Sequence, residues 1–209
     1  MRGSKPELLV LDVHGVVLTN PLMEFLDQVE VATGQSPGSV RRRWRDRLRT
    51  PAWTGRISDE QLWEQLTGGD TTRDWRGILE GMYERGAAAP HLRRWSQRVP
   101  IWLLSNHRSH WLLPRLERFG LTGVFQRVVV SDVIAAAKPD PTAFRHVVEE
   151  VRAPASCLFV DDRARNIASA ASLGLQVVHA SPDIPWIAAI DDALQNCSMA
   201  ASSTSCPSG

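Results

Sequence analysis

Cysteine is scarce in this chain, and what there is shows no pattern. Three cysteines occur in 209 residues. No CxxC pair or Cys/His cluster has zinc spacing, and a disulfide scaffold is excluded as the basis of the fold. Cys157 precedes the apolar stretch LFV and reads as a core residue, whereas Cys197 and Cys206 fall in the polar end of the sequence. This usage suits a reducing compartment, so a cytoplasmic location is expected. Long hydrophobic runs are missing as well. None approaches the roughly 18 residues of a membrane span, and no small-residue cleavage site follows the first apolar run, so neither a membrane partner nor a signal peptide is expected. An excess of either charge is also absent. Lys and Arg number 24 against 23 Asp and Glu, a formal charge of +1, which gives no reason to expect nucleic acid as the main partner.

What is present is enough apolar residue, 43%, to bury a core of ordinary domain size. Apolar strand runs alternate with helical patterns in the second half. VPIWLLSN (99–106), RVVVSD (127–132), CLFVDD (157–162) and LQVVHA (175–180) read as strands. HWLLPRLERFGL (110–121), DPTAFRHVVEEV (140–151) and RNIASAASLG (165–174) read as helices, with Pro114 expected in the first turn of its helix. The alternation predicts an α/β fold, a Rossmann-like parallel sheet with both faces covered. Residues 19–90 differ. They hold no apolar strand run, and PLMEFLDQVEVAT, SVRRRWRDRLR, SDEQLWEQL and TRDWRGILEGMYERG all read as helices, with a capping box at Ser58 and Gln61. The expected organisation is therefore a core of 7–18 and 91–195, an inserted helical cap of 19–90, and a disordered tail of 196–209.

Polar residues collect where the strands end. The first apolar run, LLVLDVHGVVL (8–18), reaches Asp12 and, two residues on, His14. Ser105 and Asn106, Ser131 and Asp132, and Asp161 and Asp162 end the later strands, and Lys138 follows in AAAKPDP. In an open parallel sheet the ligand crevice lies beyond the carboxyl ends of the strands. Carboxylates gathered there repel one another without a cation, and oxygen ligands suit magnesium. A lysine and a hydroxyl beside them can hold an anion. Together they describe a phosphate site with a carboxylate nucleophile.

The motifs LDVHGV, LLSN, KPDPTAF and FVDDRARNIASAASLG, in this order over residues 7–180, resemble those of the haloacid dehalogenase-like (HAD) hydrolases. The helical insertion resembles the cap of one HAD subclass. Within it, the sequence is similar to sugar-phosphate phosphatases and to the N-terminal phosphatase domain of soluble epoxide hydrolase, including the segment GRISDEQLWEQL. The resemblance implies that Asp12 is the nucleophile that becomes an aspartyl phosphate. It implies Mg2+ held by Asp12, the main-chain carbonyl of His14, Asp162 and, directly or through a second layer, Asp161. Ser105 and Lys138 would bind phosphoryl oxygens, Asn106 would serve the same loop, and Asn166 would fix the fourth motif. The implied substrate is a small phosphorylated molecule.

His14 departs from the pattern, because most phosphatases of the superfamily carry a second aspartate there. Three readings stay open: an acid–base group, a residue of changed non-phosphatase chemistry in specialised metabolism, or a mark of lost activity in a binding or regulatory protein. Asp132 reads as structural, and His107 and His110 as surface-loop histidines, with one of them facing the pocket as the alternative. The arginines of RRRWRDRLR (41–49) are expected to spread around a solvated helix, with anion steering as the alternative. Trp44, Trp53, Trp63 and Trp75 are expected to pack the insertion, one of them contacting substrate.

Overall fold

A computed structural model describes residues 5–195; the expected tail, with Cys197 and Cys206, lies outside them. Five strands, β1 (Leu8–Leu11), β2 (Ile101–Ser105), β3 (Arg127–Val130), β4 (Cys157–Asp161) and β5 (Gln176–His179), form one sheet in the order β3-β2-β1-β4-β5. All pairings are parallel. β1 is central, and every residue of LLVL is buried, because both faces of the sheet are covered. Leu9 and Leu11 join Ile101, Leu103, Leu158 and Val160 on one face. Leu8 and Val10 join Trp102, Leu104, Cys157 and Phe159 on the other. This is the side-chain alternation of a pleated strand.

The insertion lies between β1 and β2. It comprises α1 (Leu22–Ala32), α2 (Ser39–Arg43), a π-helical turn (Trp44–Leu48), α3 (Arg49–Trp53), α4 (Asp59–Thr67) and α5 (Trp75–Gly81). Ser58 and Gln61 form the expected capping box of α4. These helices build a separate apolar cluster from Phe25, Leu26, Trp44, Leu62, Trp75 and their neighbours. The chain leaves and returns along paired stems: the Gly86 amide donates to the Val17 carbonyl at 2.8 Å and the Thr19 amide to the Glu84 carbonyl at 2.9 Å. A Cβ on Gly86 would sit 2.6 Å from the Val16 carbonyl oxygen, so only glycine lets the stems approach this closely.

The sheet's remaining helices are α6 (Leu92–Ser96), α7 (Ser109–Arg118), α8 (Pro141–Val148), α9 (Ala164–Ser172) and α10 (Trp186–Gln195). α6, α7 and α10 pack on one face through Trp95, Leu112 and Ile190; α8 and α9 pack on the other through Phe144 and Ala170. Pro114 falls in the interior of α7 and not in its first turn. The His110 carbonyl, which a proline at 114 cannot serve, accepts instead from Arg76 of the insertion at 3.3 Å. Among the described residues, no helix is long and apolar enough to cross a membrane.

Candidate active site

β1 lies between β2 and β4, and the strand order reverses there, so the crevice of this sheet opens where those three strands end. The sequence places Asp12, Ser105 and Asp161 at those ends. A cavity of about 290 Å³ lies there, the size of a small metabolite. Asp12, His14, Asn106 and Lys138 line it from the core, and Trp44 and Trp53 line it from the insertion.

Lys138 is the hub of the acidic cluster. Its buried Nζ donates to Asp161 Oδ2 at 2.7 Å and stands 3.0 Å from Asp12 Oδ1. Burial opposes the ammonium charge, but Asp12 and Asp161 outweigh it and hold the Lys138 pKa above the ordinary value. Asp12 Oδ1 also accepts from the Val13 amide at 2.7 Å, so Oδ2 is the oxygen left for chemistry. Burial, opposed by Lys138 and reinforced by Asp161 and Asp162, pushes the Asp12 pKa up to about 7.

The two acids of β4 differ. Asp161 is fully buried and saturated: its Oδ1 accepts from the Arg163 amide at 2.8 Å, Lys138 holds Oδ2, and Asn166 Nδ2 bridges both oxygens at 2.9 Å. Asp162 has a buried Oδ1 with no hydrogen-bond partner and only Arg163 Nε at 3.8 Å. Burial and the charge of Asp161 raise its pKa.

Ligand oxygens of Asp12, Asp161 and Asp162 all lie within 4.8 Å of one another. Gly15 adopts φ +90°, and a Cβ there would sit 2.5 Å from Asp162 Oδ2. The glycine thus keeps space clear against an orphaned carboxylate. Three convergent carboxylates, one with an unpartnered oxygen, fit a hard divalent cation such as Mg2+.

Ser105 is fully buried, and its Oγ has no hydrogen-bond partner. Asn106 lines the cavity and serves the neighbouring loop. Its Nδ2 donates to the Lys138 carbonyl at 2.7 Å and its Oδ1 accepts from the Lys138 amide at 2.8 Å, so both ends of the amide fix the lysine's main chain. Asp132 is structural as expected: Oδ2 accepts from the amide and hydroxyl of Ser109 at 2.8 and 2.9 Å and so closes the start of α7.

His14 sits in a setting the sequence did not foretell. Arg115 Nη1 lies 2.8 Å from His14 Nε2 and 3.2 Å from His107 Nε2. A guanidinium only donates, so both Nε2 atoms accept. Both imidazoles then carry their proton on Nδ1, and that of His107 donates to the Arg108 carbonyl at 3.1 Å. Burial and the surrounding positive charges hold both histidines well below the ordinary imidazole pKa. The acid–base reading of His14 therefore does not fit: its basic nitrogen is occupied by a permanent cation, and its remaining proton belongs to a neutral ring. Arg115 is itself anchored by Glu80, with Nε to Oε2 at 2.9 Å, and lies 3.6 Å over the Tyr83 ring.

His107 also corrects the expectation of a surface residue. It is buried, stacked between His14 at 4.7 Å and Trp53 at 4.8 Å, and so joins the insertion to the site. His110 is exposed as expected and pairs with Asp59 of α4 at 3.0 Å. Of the tryptophans, Trp75 is core, Trp63 stacks on Trp111, and Trp44 and Trp53 form the cavity wall.

The six arginines of 41–49 spread around their helices as expected, Arg42, Arg43 and Arg47 lying together away from the cavity, but the other three form a stripe. Arg41, Arg45 and Arg49 recur every fourth residue and all line the cavity. Arg115 and Glu80 were missed altogether. The available signal was position: Arg115 falls on the same α7 face as the buried Trp111, Leu112 and Leu116, where a solvated arginine has no place.

Residues 8–174 match the sequence pattern of haloacid dehalogenase-like hydrolases. The chain is 32% identical to the phosphoglycolate phosphatase of Pseudomonas syringae pv. syringae (strain B728a), over 84% of this chain and 70% of that protein. Its fold is similar to that of a predicted HAD-like family hydrolase from Porphyromonas gingivalis, with a TM-score of 0.72 at 22% identity, covering 92% of this chain and 99% of the other. It is also similar to a HAD family enzyme from Bacteroides thetaiotaomicron solved with magnesium and inorganic phosphate, with a TM-score of 0.64 at 17% identity, covering 87% and 97%.

Proposed function

The chain belongs to the haloacid dehalogenase-like hydrolases, and on that premise we propose that it is a magnesium-dependent phosphatase of a small phosphorylated metabolite. The observation that carries this reading is Asp12: a buried carboxylate at the end of the central strand, lining a cavity of metabolite size, with one oxygen fixed by Val13 and Lys138. The similarity to a phosphoglycolate phosphatase supports the reaction class.

Asp12, Asp162 and the main-chain carbonyl of His14 would hold magnesium, with Asp161 behind them. The cation supplies positive charge that offsets the carboxylates and the phosphoryl oxygens. Asp12 Oδ2 attacks phosphorus, forming an acyl phosphate as the ester P–O bond breaks. Lys138 neutralises a phosphoryl oxygen, and the orphaned Ser105 hydroxyl is a further donor at that strand end. With His14 neutral and bound to Arg115, the leaving oxygen takes its proton from water. A water molecule then attacks the acyl phosphate at phosphorus, which releases inorganic phosphate and restores the Asp12 carboxylate.

The test is phosphate release from a panel of monoesters with and without Mg2+, followed by single turnover in ¹⁸O-water. Label in the released phosphate, with turnover lost by about 10³-fold or more in Asp12→Asn, is the expected result. Unchanged turnover in Asp12→Asn overturns the reading. The bond between Arg115 and His14 favours a second reading, an enzyme of specialised metabolism with changed, non-phosphatase chemistry. It prevails if no ester releases phosphate while an unphosphorylated substrate is consumed.

A further inference from the structure

The cavity carries more positive charge than one phosphoryl group and a magnesium site require. Five arginines line it: Arg41, Arg45 and Arg49 from the insertion, and Arg163 and Arg165 at the start of α9. They are not equivalent. Arg41 is committed to Asp27, and Arg45 to Asp46 at 2.7 Å. Among the described residues, no carboxylate pairs with Arg49 or Arg165, and Arg163 reaches only Asp162 Oδ1 at 3.8 Å. Arg49 is half-buried. Burial and the positive charges of Arg165 and Arg163 lower its pKa, and Arg165 is in turn lowered by burial and by Arg163. Three guanidiniums from two separate parts of the fold thus line one cavity and repel.

Such an arrangement is unfavourable when empty and becomes favourable around an anion. Planar forked donors suit a carboxylate or a phosphate. The end of the cavity at Lys138 is already assigned to the transferred phosphoryl group. We infer that Arg49, Arg163 and Arg165 form a second anion subsite, bridging insertion and core, which selects phosphate esters bearing a further carboxylate or phosphate. This deepens the phosphatase reading and rests on it. The apolar lining that Trp44, Trp53 and Leu22 give the same cavity suits a short carbon skeleton. Nucleic acid does not fit a cavity of about 290 Å³.

The test uses phosphonates, whose C–P bond this reaction does not cleave, so binding is read apart from turnover. Phosphonoacetate, its uncharged amide and methylenebisphosphonate are titrated into the Mg2+-loaded protein, with calorimetry as readout and Trp44 and Trp53 fluorescence as a check. The expected result is a preference of at least about tenfold for a doubly anionic compound over the amide, falling to about twofold in Arg49→Gln/Arg165→Gln. The preferred arm, carboxylate or bisphosphonate, identifies the second group. Arg165→Gln alone, at an exposed position, serves if the double variant does not fold, and should lose part of the preference. Equal binding of all three by the parent overturns the subsite, as does a preference that persists in the variants. Tight phosphonoacetate binding without hydrolysis of any ester would sink the phosphatase reading and leave the subsite standing. Ester hydrolysis indifferent to a second charge would do the reverse.

Discussion

Arg115 donates to the Nε2 of His14 at 2.8 Å, between side chains that are both buried. A permanent cation at that distance fixes the tautomer of the imidazole and keeps it neutral. In ¹⁵N-labelled protein, His14 should show a protonated Nδ1 and an unprotonated Nε2, with no titration near the ordinary 6.5. Turnover should depend steeply on the leaving group: aryl phosphates, whose departing oxygen needs no proton, should far outpace alkyl phosphates. His14→Ala should cost aryl substrates less than about tenfold, against the roughly 10²–10⁴ of a lost general acid. A His14 resonance that titrates between pH 6 and 7 would contradict this.

The raised pKa of Asp12 makes the stability of the metal-free protein depend on pH. Between the ordinary 3.8 and about 7, the folded chain holds a proton that the unfolded chain has released. Stability therefore falls as pH rises through that window. Asparagine does not titrate. In EDTA, Asp12→Asn should gain on the parent by about 1–3 kcal/mol between pH 5 and pH 8, measured by urea unfolding. Mg2+ should restore the parent and not the variant. A difference that stays constant with pH would show that Asp12 is not pushed up.

Arg115 also bears load between core and insertion. Its side chain is fully buried and pairs with Glu80, which is 21% exposed. Arg115→Met keeps the volume but removes the ion pair, the contact with Tyr83 and both imidazole bonds. The expected loss is about 2–4 kcal/mol in a urea titration. A change below about 0.5 kcal/mol would mean that the pair contributes nothing.

Gly15→Ala should damage metal use ahead of folding. The new methyl would meet Asp162 Oδ2 at 2.5 Å in a backbone conformation with φ +90°. The Mg2+ concentration for half-maximal activity should rise by about tenfold or more, with the far-ultraviolet circular dichroism spectrum retained. An unchanged Mg2+ requirement would place the metal away from Asp162.

Much of this was legible in the sequence. The parallel sheet follows from apolar strands alternating with helices; Asp12, Asp161 and Asp162 stand at strand ends that parallel pairing must bring together, and Lys138 lies in the loop after β3. The surroundings of His14 were hidden for a physical reason. Arg115 lies 101 residues away and Glu80 sits on another helix of the insertion, so their meeting depends on how α5 packs against α7. The three-arginine stripe within the spread was not legible because six arginines in nine positions leave no bare face for a pattern to stand against. Only the partners separate them: Asp27 and Asp46 occupy two cavity arginines, and among the described residues no carboxylate occupies Arg49.

The paired stems at Val17–Thr19 and Glu84–Gly86 make the insertion look like a cassette with a single point of attachment. It is not one. Its apolar cluster is completed by Trp111, its α4 start is held by Arg108, and its Glu80 holds Arg115, the first and last from α7 and Arg108 from the residue just before it. Exchange of the insertion between homologous proteins must therefore carry α7 with it, and the unit of inheritance for substrate choice is the pair, not the insert alone.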